Sequence, residues 1–394
     1  MPNPLLQYNF TRFDDFYRQS LELALEFGNP DSPYAIDALA GDDLIEVTRL
    51  PKQLSPAGQG IPQVGYGISI KDRQVFLGSG DDGISATGIT TGLNLDIASI
   101  ADVLGGLIRR SELYAGDGND SVTGTASGES FGYMSIGVNV QATARLSMGF
   151  GDDRLHARGG DVGLMLANNR WYGDLTSFYG DIVVDMGAGN DVIEAVGGDY
   201  GVYAERSQLV MGDGGDRIQA TGDHGIEMHS SSLLLGAGRD RVVANGLRGF
   251  VLSDSVLDAG SGGDRIGTTA AGQALVLSDA LLLMGNGNDI VDTLTGHLVT
   301  SSDDYIDLGQ GRDVFKGFGS ALLKGGDGTD SLILPDGRYT ITMRQNTSGF
   351  AVALQGSSTM YLDSIEKIAG SLDPNGVNLM VGTLSVINGR ATLV

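Results

Sequence analysis

The chain has 394 residues, 62 of them Gly and none Cys, and its 49 Asp and Glu outnumber 25 Lys and Arg to leave a formal charge of −24. That balance argues against nucleic acid and anionic membrane as partners. The lack of cysteine excludes disulfides, zinc–thiolate sites and thiol catalysis.

Residues 1–35 read as an N-terminal cap. Phe10, Phe13, Tyr17, Leu21 and Leu25 recur at three- and four-residue spacing, which predicts an amphipathic helix over 9–27. Gly28 and Pro30 would stop it, and its role would be to cover an open strand edge. No signal peptide is expected, because the start runs into Arg12, Asp14 and Asp15 rather than an apolar core. No apolar run reaches transmembrane length, so no membrane insertion is expected.

From 36 to 334 the chain repeats one turn, G-x-G-x-D. It occurs ten times. The glycine pairs and closing Asp are Gly78, Gly80 and Asp82; Gly116, Gly118 and Asp120; Gly149, Gly151 and Asp153; Gly187, Gly189 and Asp191; Gly212, Gly214 and Asp216. They continue as Gly236, Gly238 and Asp240; Gly260, Gly262 and Asp264; Gly285, Gly287 and Asp289; Gly309, Gly311 and Asp313; Gly326, Gly328 and Asp330. A degenerate copy runs from Leu39 to Asp43. Between Gly187 and Gly309 successive turns lie 25, 24, 24, 25 and 24 residues apart. Within each unit apolar and polar residues alternate, which is the period of short strands. A unit of this length with three short strands cannot bury its inner face alone, but a stack can. The fold class expected is all-β, a right-handed parallel β-helix with coils of about 24 residues.

Earlier turns are wider apart, at 39, 38, 33 and 38 residues. The surplus reads as four insertions, near 49–65, 88–104, 125–137 and 160–175, all at one place in the coil and thickening one face. Trp171, Tyr172, Phe178 and Tyr179 fall in or near the fourth. Ser207, Ser231, Ser255 and then Ala280 should close another corner as one column. Residues 335–394 alternate apolar and polar, as in Tyr339 to Met343 and Phe350 to Leu354, and should form a β-rich C-terminal cap carrying a possible secretion signal.

Each turn sets flexible backbone carbonyls beside a fixed carboxylate, the oxygen ligands a hard cation such as Ca²⁺ takes. Stacked Asp residues about 4.8 Å apart repel one another without counterions. Nine gaps between ten turns, each with one Ca²⁺, would bring the charge to about −6.

The turns resemble the RTX, or hemolysin-type, calcium-binding repeats, written G-G-x-G-x-D-x-U-x with U a large apolar residue. Gly285 to Val291 and Gly187 to Ile193 match that pattern well. The resemblance implies Ca²⁺ between stacked turns, held by glycine-turn carbonyls and by Asp82, Asp120, Asp153, Asp191, Asp216, Asp240, Asp264, Asp289, Asp313 and Asp330. It implies type I secretion as well. The family places two turns in each coil and so two rows of ions. Here most coils carry one turn, so one row of about nine ions is expected.

The expected function is a secreted calcium-binding structural or adhesive protein of the cell surface or extracellular matrix. Its partners would be Ca²⁺ and either further copies of itself or polysaccharide. The alternative is a polysaccharide lyase or epimerase. On the strand after the turn one outward column reads Ser85, Thr123, His156, Glu194, Gln219, and the next carries Arg154, Val192, Arg217, Arg241 and Arg265. His156 and Glu194 would be neighbours there, as weak catalytic candidates. The four histidines, at 156, 224, 229 and 297, do not otherwise cluster in the sequence.

Overall fold

The computed structural model describes the chain except residues 1–15, 22–24, 28–34, 38–39, 50–65, 72–73, 89, 97–110, 127–133, 142, 168–180, 271, 301–303, 345–348, 355–357, 374–375 and 394. The aromatics at 171, 172, 178 and 179 lie outside the described residues. Every regular element described is a β-strand. The chain divides into two compact units, the first formed by 1–213 with 217–223, the second by 214–216 with 224–394.

The first unit is a parallel β-helix of three sheets. Strands that follow the turns form the first sheet, in the order Phe16–Leu21, Leu44–Arg49, Gly83–Gly88, Ser121–Ala126, Arg154–Arg158, Val192–Val196 and Arg217–Thr221. The second sheet stacks Leu25–Phe27, Tyr66–Lys71, Thr91–Asp96, Ile136–Val140, Val162–Leu166 and Tyr200–Glu205. The third stacks the strands that lead into the turns, from Ala35–Asp37 to Ser207–Val210. Each strand turns alternate side chains inward. The register therefore builds apolar columns such as Ile84, Val122, Leu155, Ile193 and Ile218, all 3% exposed or less. Branched and apolar side chains stacked at the strand spacing interdigitate without voids.

The second unit repeats this plan. Its first sheet runs from Arg241–Asn245 to Lys367–Gly370, and its inner column is Val242, Ile266, Val291, Phe315, Leu332 and Ile368. The corner between the second and third sheets is a single left-handed residue, Ser230, Asp254 and Asp279 in successive coils. The coil between Gly309 and Gly326 is only 17 residues long because it has no such corner. Gly319–Lys324 stays straight and pairs with both His297–Thr300 and Tyr305–Asp307. Beyond it the chain turns antiparallel, with Gly337–Met343 paired to Phe350–Leu354 and to Gly382–Ile387.

Two expectations are corrected. The helix over 9–27 is not present among the described residues, since Phe16–Leu21 and Leu25–Phe27 are strands. A spacing of four (13, 17, 21, 25) is also a multiple of two, and Leu23 and Phe27 extend the same alternate row. The pairing of Phe16–Leu21 with Leu44–Arg49 decides for period two. The four insertions do not all fall at one place. Thr91–Asp96 and Val162–Leu166 lie inside the spans assigned to the second and fourth, yet both are second-sheet strands in register with Tyr66–Lys71 and Tyr200–Glu205. In those coils the surplus chain, 97–110 and 168–180, follows the second strand rather than preceding it. The outward side chains of this sheet are buried too: Ser69, Asn94 and Asn139 form a hydrogen-bonded polar row 2% exposed or less.

The second glycine of each turn is fixed by its neighbour. At Gly238 (φ +146°) a Cβ would sit 1.5 Å from the Gly214 carbonyl oxygen. Gly238→Ala should therefore cost about 3 kcal/mol or more. At Gly263, which has no left-handed φ, the nearest atom would be 3.6 Å away, so Gly263→Ala should change stability by less than about 0.5 kcal/mol. Urea denaturation of both variants measures the contrast.

Candidate metal centre

Every G-x-G-x-D turn folds its Asp side chain inward, under the turn. The motif carboxylates are buried to 2% exposure or less, Asp43 of the degenerate copy among them. In the first unit the main-chain N–H of Asp43 donates to Oδ1 of Asp82 at 2.8 Å, that of Asp82 to Asp120, Asp120 to Asp153 and Asp153 to Asp191, each at 2.8 Å. The second unit continues the pattern from Asp216 to Asp240, Asp264, Asp289, Asp313 and Asp330, at 2.7–2.9 Å. The N–H of Asp330 closes the row on Oε2 of Glu366 at 2.7 Å.

One oxygen of each accepting carboxylate is thus committed to the coil before it. The other is not. Oδ2 of Asp82, Asp120, Asp153, Asp240, Asp264, Asp289, Asp313 and Asp330 is buried and has no hydrogen-bond partner. A charge left in that state is costly. Burial, opposed in part by the N–H bond, pushes the carboxyls of Asp120, Asp240 and Asp289 up to about 7. The same cause takes Asp82, Asp153 and Asp330 to about 6 and raises Asp264 and Asp313. Neighbouring motif carboxylates add to the rise at Asp120, Asp240 and Asp289.

The donor set fits a hard cation. It offers orphaned carboxylate oxygens and a backbone cradle that only glycine permits, since a Cβ on Gly118 would meet the Gly80 carbonyl oxygen at 1.8 Å. Among the described residues no three His, Cys, Asp or Glu side chains are placed to hold a metal ion by themselves. An ion under the turns would therefore take its remaining ligands from main-chain oxygens.

A second, exposed row lies on the outside of the same turns in the first unit. The N–H of Asp81 donates to Asp42 Oδ1, Asn119 to Asp81, Asp152 to Asn119 and Asn190 to Asp152, at 2.7–2.9 Å. The Asn190 N–H holds the Asp152 carboxyl below the usual carboxylate range. This row ties turn to turn without a cation.

His156 and Glu194 are register partners 3.3 Å apart. Both are well exposed on an open sheet face. A further cluster escaped the sequence reading: Glu227, 9% exposed, is bracketed by His224 Nδ1 and by His229 Nε2, the latter at 2.8 Å. Their spacing along one strand (224, 227, 229) could have flagged it. Ser231, Ser255 and Ala280 form the expected buried column in the second unit, with Asp304 in the next place accepting the Ala280 N–H at 2.7 Å.

No family model and no curated protein matches the chain. The solved structures it resembles include one β-helix. It is a hyperactive, Ca²⁺-dependent, β-helical antifreeze protein from an Antarctic bacterium, with 17% identity, a TM-score of 0.42, and 83% of this chain and 81% of that chain covered. The reading of the turns rests on this chain's own geometry.

A carboxyl whose folded pKa lies above its unfolded value of about 3.9 stabilises the fold only while protonated. That contribution is complete below about pH 4 and is lost as the pH rises through 6 to 7. Metal-free protein should therefore melt several degrees lower at pH 7.5 than at pH 5, and an Asp120→Asn, Asp289→Asn double variant should flatten the dependence. Thermal melts of desalted protein across this range measure it.

Proposed function

We propose that the turns hold Ca²⁺ in one row, and that the protein is a secreted, calcium-folded structural or adhesive component of a cell surface or extracellular matrix. The observation that carries this reading is the set of buried, unpartnered Oδ2 atoms repeated coil after coil. Ca²⁺ suits them because it accepts several carboxylate and carbonyl oxygens in an irregular shell, whereas Mg²⁺ demands a tight octahedron and keeps its waters. The motif Asp residues would supply the charge, and carbonyls of the turn glycines, such as Gly260, Gly262, Gly285 and Gly287, the neutral ligands. In these terms the chain is an RTX-like array with one turn per coil.

A cation bound only by the folded state drives folding by mass action. Extracellular calcium modules work at about 10⁻⁴–10⁻³ M, so such a chain would fold after export, and type I secretion fits that order of events. A structural role is favoured over catalysis because the side chains of the His156–Glu194 pair are 38% and 46% exposed to solvent rather than desolvated.

Asp264→Asn separates this reading from a purely structural turn. The amide oxygen keeps the hydrogen bond to the Asp240 N–H, while an NH₂ replaces the ligand oxygen. Without metal at pH 7.5 the variant should be more stable than the parent, because a buried charge is gone. With Ca²⁺ it should gain less and bind about tenfold more weakly. Melting temperatures with and without Ca²⁺, together with calorimetric titration, check both halves. Equal calcium responses in the two proteins would remove Asp264 from the ligand set.

A further inference from the structure

In a chain so acidic, cations without carboxylate partners stand out. The second unit has two at one corner. Arg239 is the fourth residue of its turn, and Arg241 opens the strand that follows. Arg241 is in register with Arg265 on the next coil. Arg265 reaches Asp292 Oδ2 at 3.2 Å, an oxygen that Lys316 also contacts at 3.2 Å. Among the described residues neither Arg239 nor Arg241 pairs with a carboxylate.

Arg239 lines a shallow groove of about 510 Å³ with Gly238, Gly262, Gly263, Gly287 and Asn288, and Arg241 stands two residues further on, at the head of the adjoining strand. Most of that glycine floor is required by the stack, since Gly238, Gly262 and Gly287 have φ of +146°, +147° and +158° and carry a neighbour's carbonyl where a Cβ would go. Gly263 is different. It has no left-handed φ, and a Cβ there would meet only Asn288 O at 3.6 Å and Arg239 Nε at 3.8 Å. The fold would accept a side chain at this position, and the groove would not.

We propose that this groove binds an anionic polysaccharide through its sugar carboxylates. The guanidinium is a planar fork matched to a carboxylate, and the more so where water is partly excluded. Arg239 and Arg241 lie two residues apart at one corner, so a polymer with regularly placed carboxylates can engage both. The floor is mostly glycine backbone, which leaves room for a sugar ring, and Asn288, whose Oδ1 already accepts the Arg312 N–H at 2.9 Å, keeps its amide NH₂ for hydroxyls. A second copy of this chain offers another anion, its outer row of Asp42, Asp81 and Asp152. That row is already engaged by the main-chain N–H groups of Asp81, Asn119 and Asn190, and nothing in it projects to fill a concave floor. The sugar acid is the better fit.

The groove needs the folded second unit, so the test is run on the full chain with Ca²⁺ present, and circular dichroism of the same protein with and without EGTA separates loss of the fold from loss of the groove. Calorimetric titration compares a short galacturonic acid oligomer, a neutral malto-oligosaccharide and dextran sulfate. The acid oligomer should bind and the neutral one should not. Arg239→Ala with Arg241→Ala, and separately Gly263→Leu, should each weaken binding at least about tenfold with unchanged melting temperature. Arg154→Ala, in the first unit, should leave it intact. Gly263→Leu keeps every charge, so its effect reports the groove and not the general potential. The proposal is overturned by any of four results. The acid oligomer fails to bind, the variants bind it like the parent, dextran sulfate binds equally well, or sedimentation shows a salt-sensitive self-association that the double Arg variant abolishes.

Discussion

The structure depends on how a column of like charges is held inside a β-helix. Neighbouring motif carboxylates stack at about 4.8 Å, where two full charges repel by on the order of 3 kcal/mol at an effective dielectric of about 20. One oxygen of each is neutralised in part by an N–H of the coil before it, at 2.7–2.9 Å. In Asp82, Asp120, Asp153, Asp240, Asp264, Asp289, Asp313 and Asp330 the other is buried with no hydrogen-bond partner. A chain that builds the same unfavourable arrangement in coil after coil must either hold protons there, which pKa values near 6 to 7 allow only partly at neutral pH, or hold cations. The rest of the coil is organised around that choice.

The glycines follow from it. Turns that present carbonyls inward and pack at strand spacing leave no volume for a Cβ at the second glycine, as the 1.8 Å approach at Gly118 shows. The position before the Asp points outward and is free to vary. In the first unit it carries Asp or Asn, forming the outer row. In the second it includes Arg239 and Gly263, which shape the groove. One turn can therefore carry a buried carboxylate beneath it and a variable side chain above.

Much of this was legible in the sequence because the information is periodic. The turn spacing gave the coil, strict alternation gave the strands, and column arithmetic placed His156 beside Glu194 and Ser231 beside Ser255. What was not legible came from local ambiguity. A four-residue apolar spacing at Tyr17 and Leu21 is compatible with both helix and strand, and only a partner strand resolves it. Surplus residues in a coil can be slipped across a strand when both sides offer a Gly followed by alternating apolar residues, as at Gly92 and Gly105. One further carboxylate in each unit was hidden for another reason. Asp43 sits in a turn that has lost its first Gly, and Glu366 lies outside any turn, so neither matched the pattern although each is bonded to its own unit's row. The His224–Glu227–His229 cluster has no repeat to announce it and is seen only once the strand is placed.

The most direct measurement is far-ultraviolet circular dichroism of metal-stripped protein at pH 7.5, titrated with Ca²⁺ and separately with Mg²⁺. The account predicts a weak β signal without metal, a cooperative gain with Ca²⁺ as the buried carboxylates are neutralised together, and little response to Mg²⁺ at the same concentration. A full β spectrum in the stripped protein, unmoved by Ca²⁺, would show that the Asp column is tolerated without ions and would contradict the central claim.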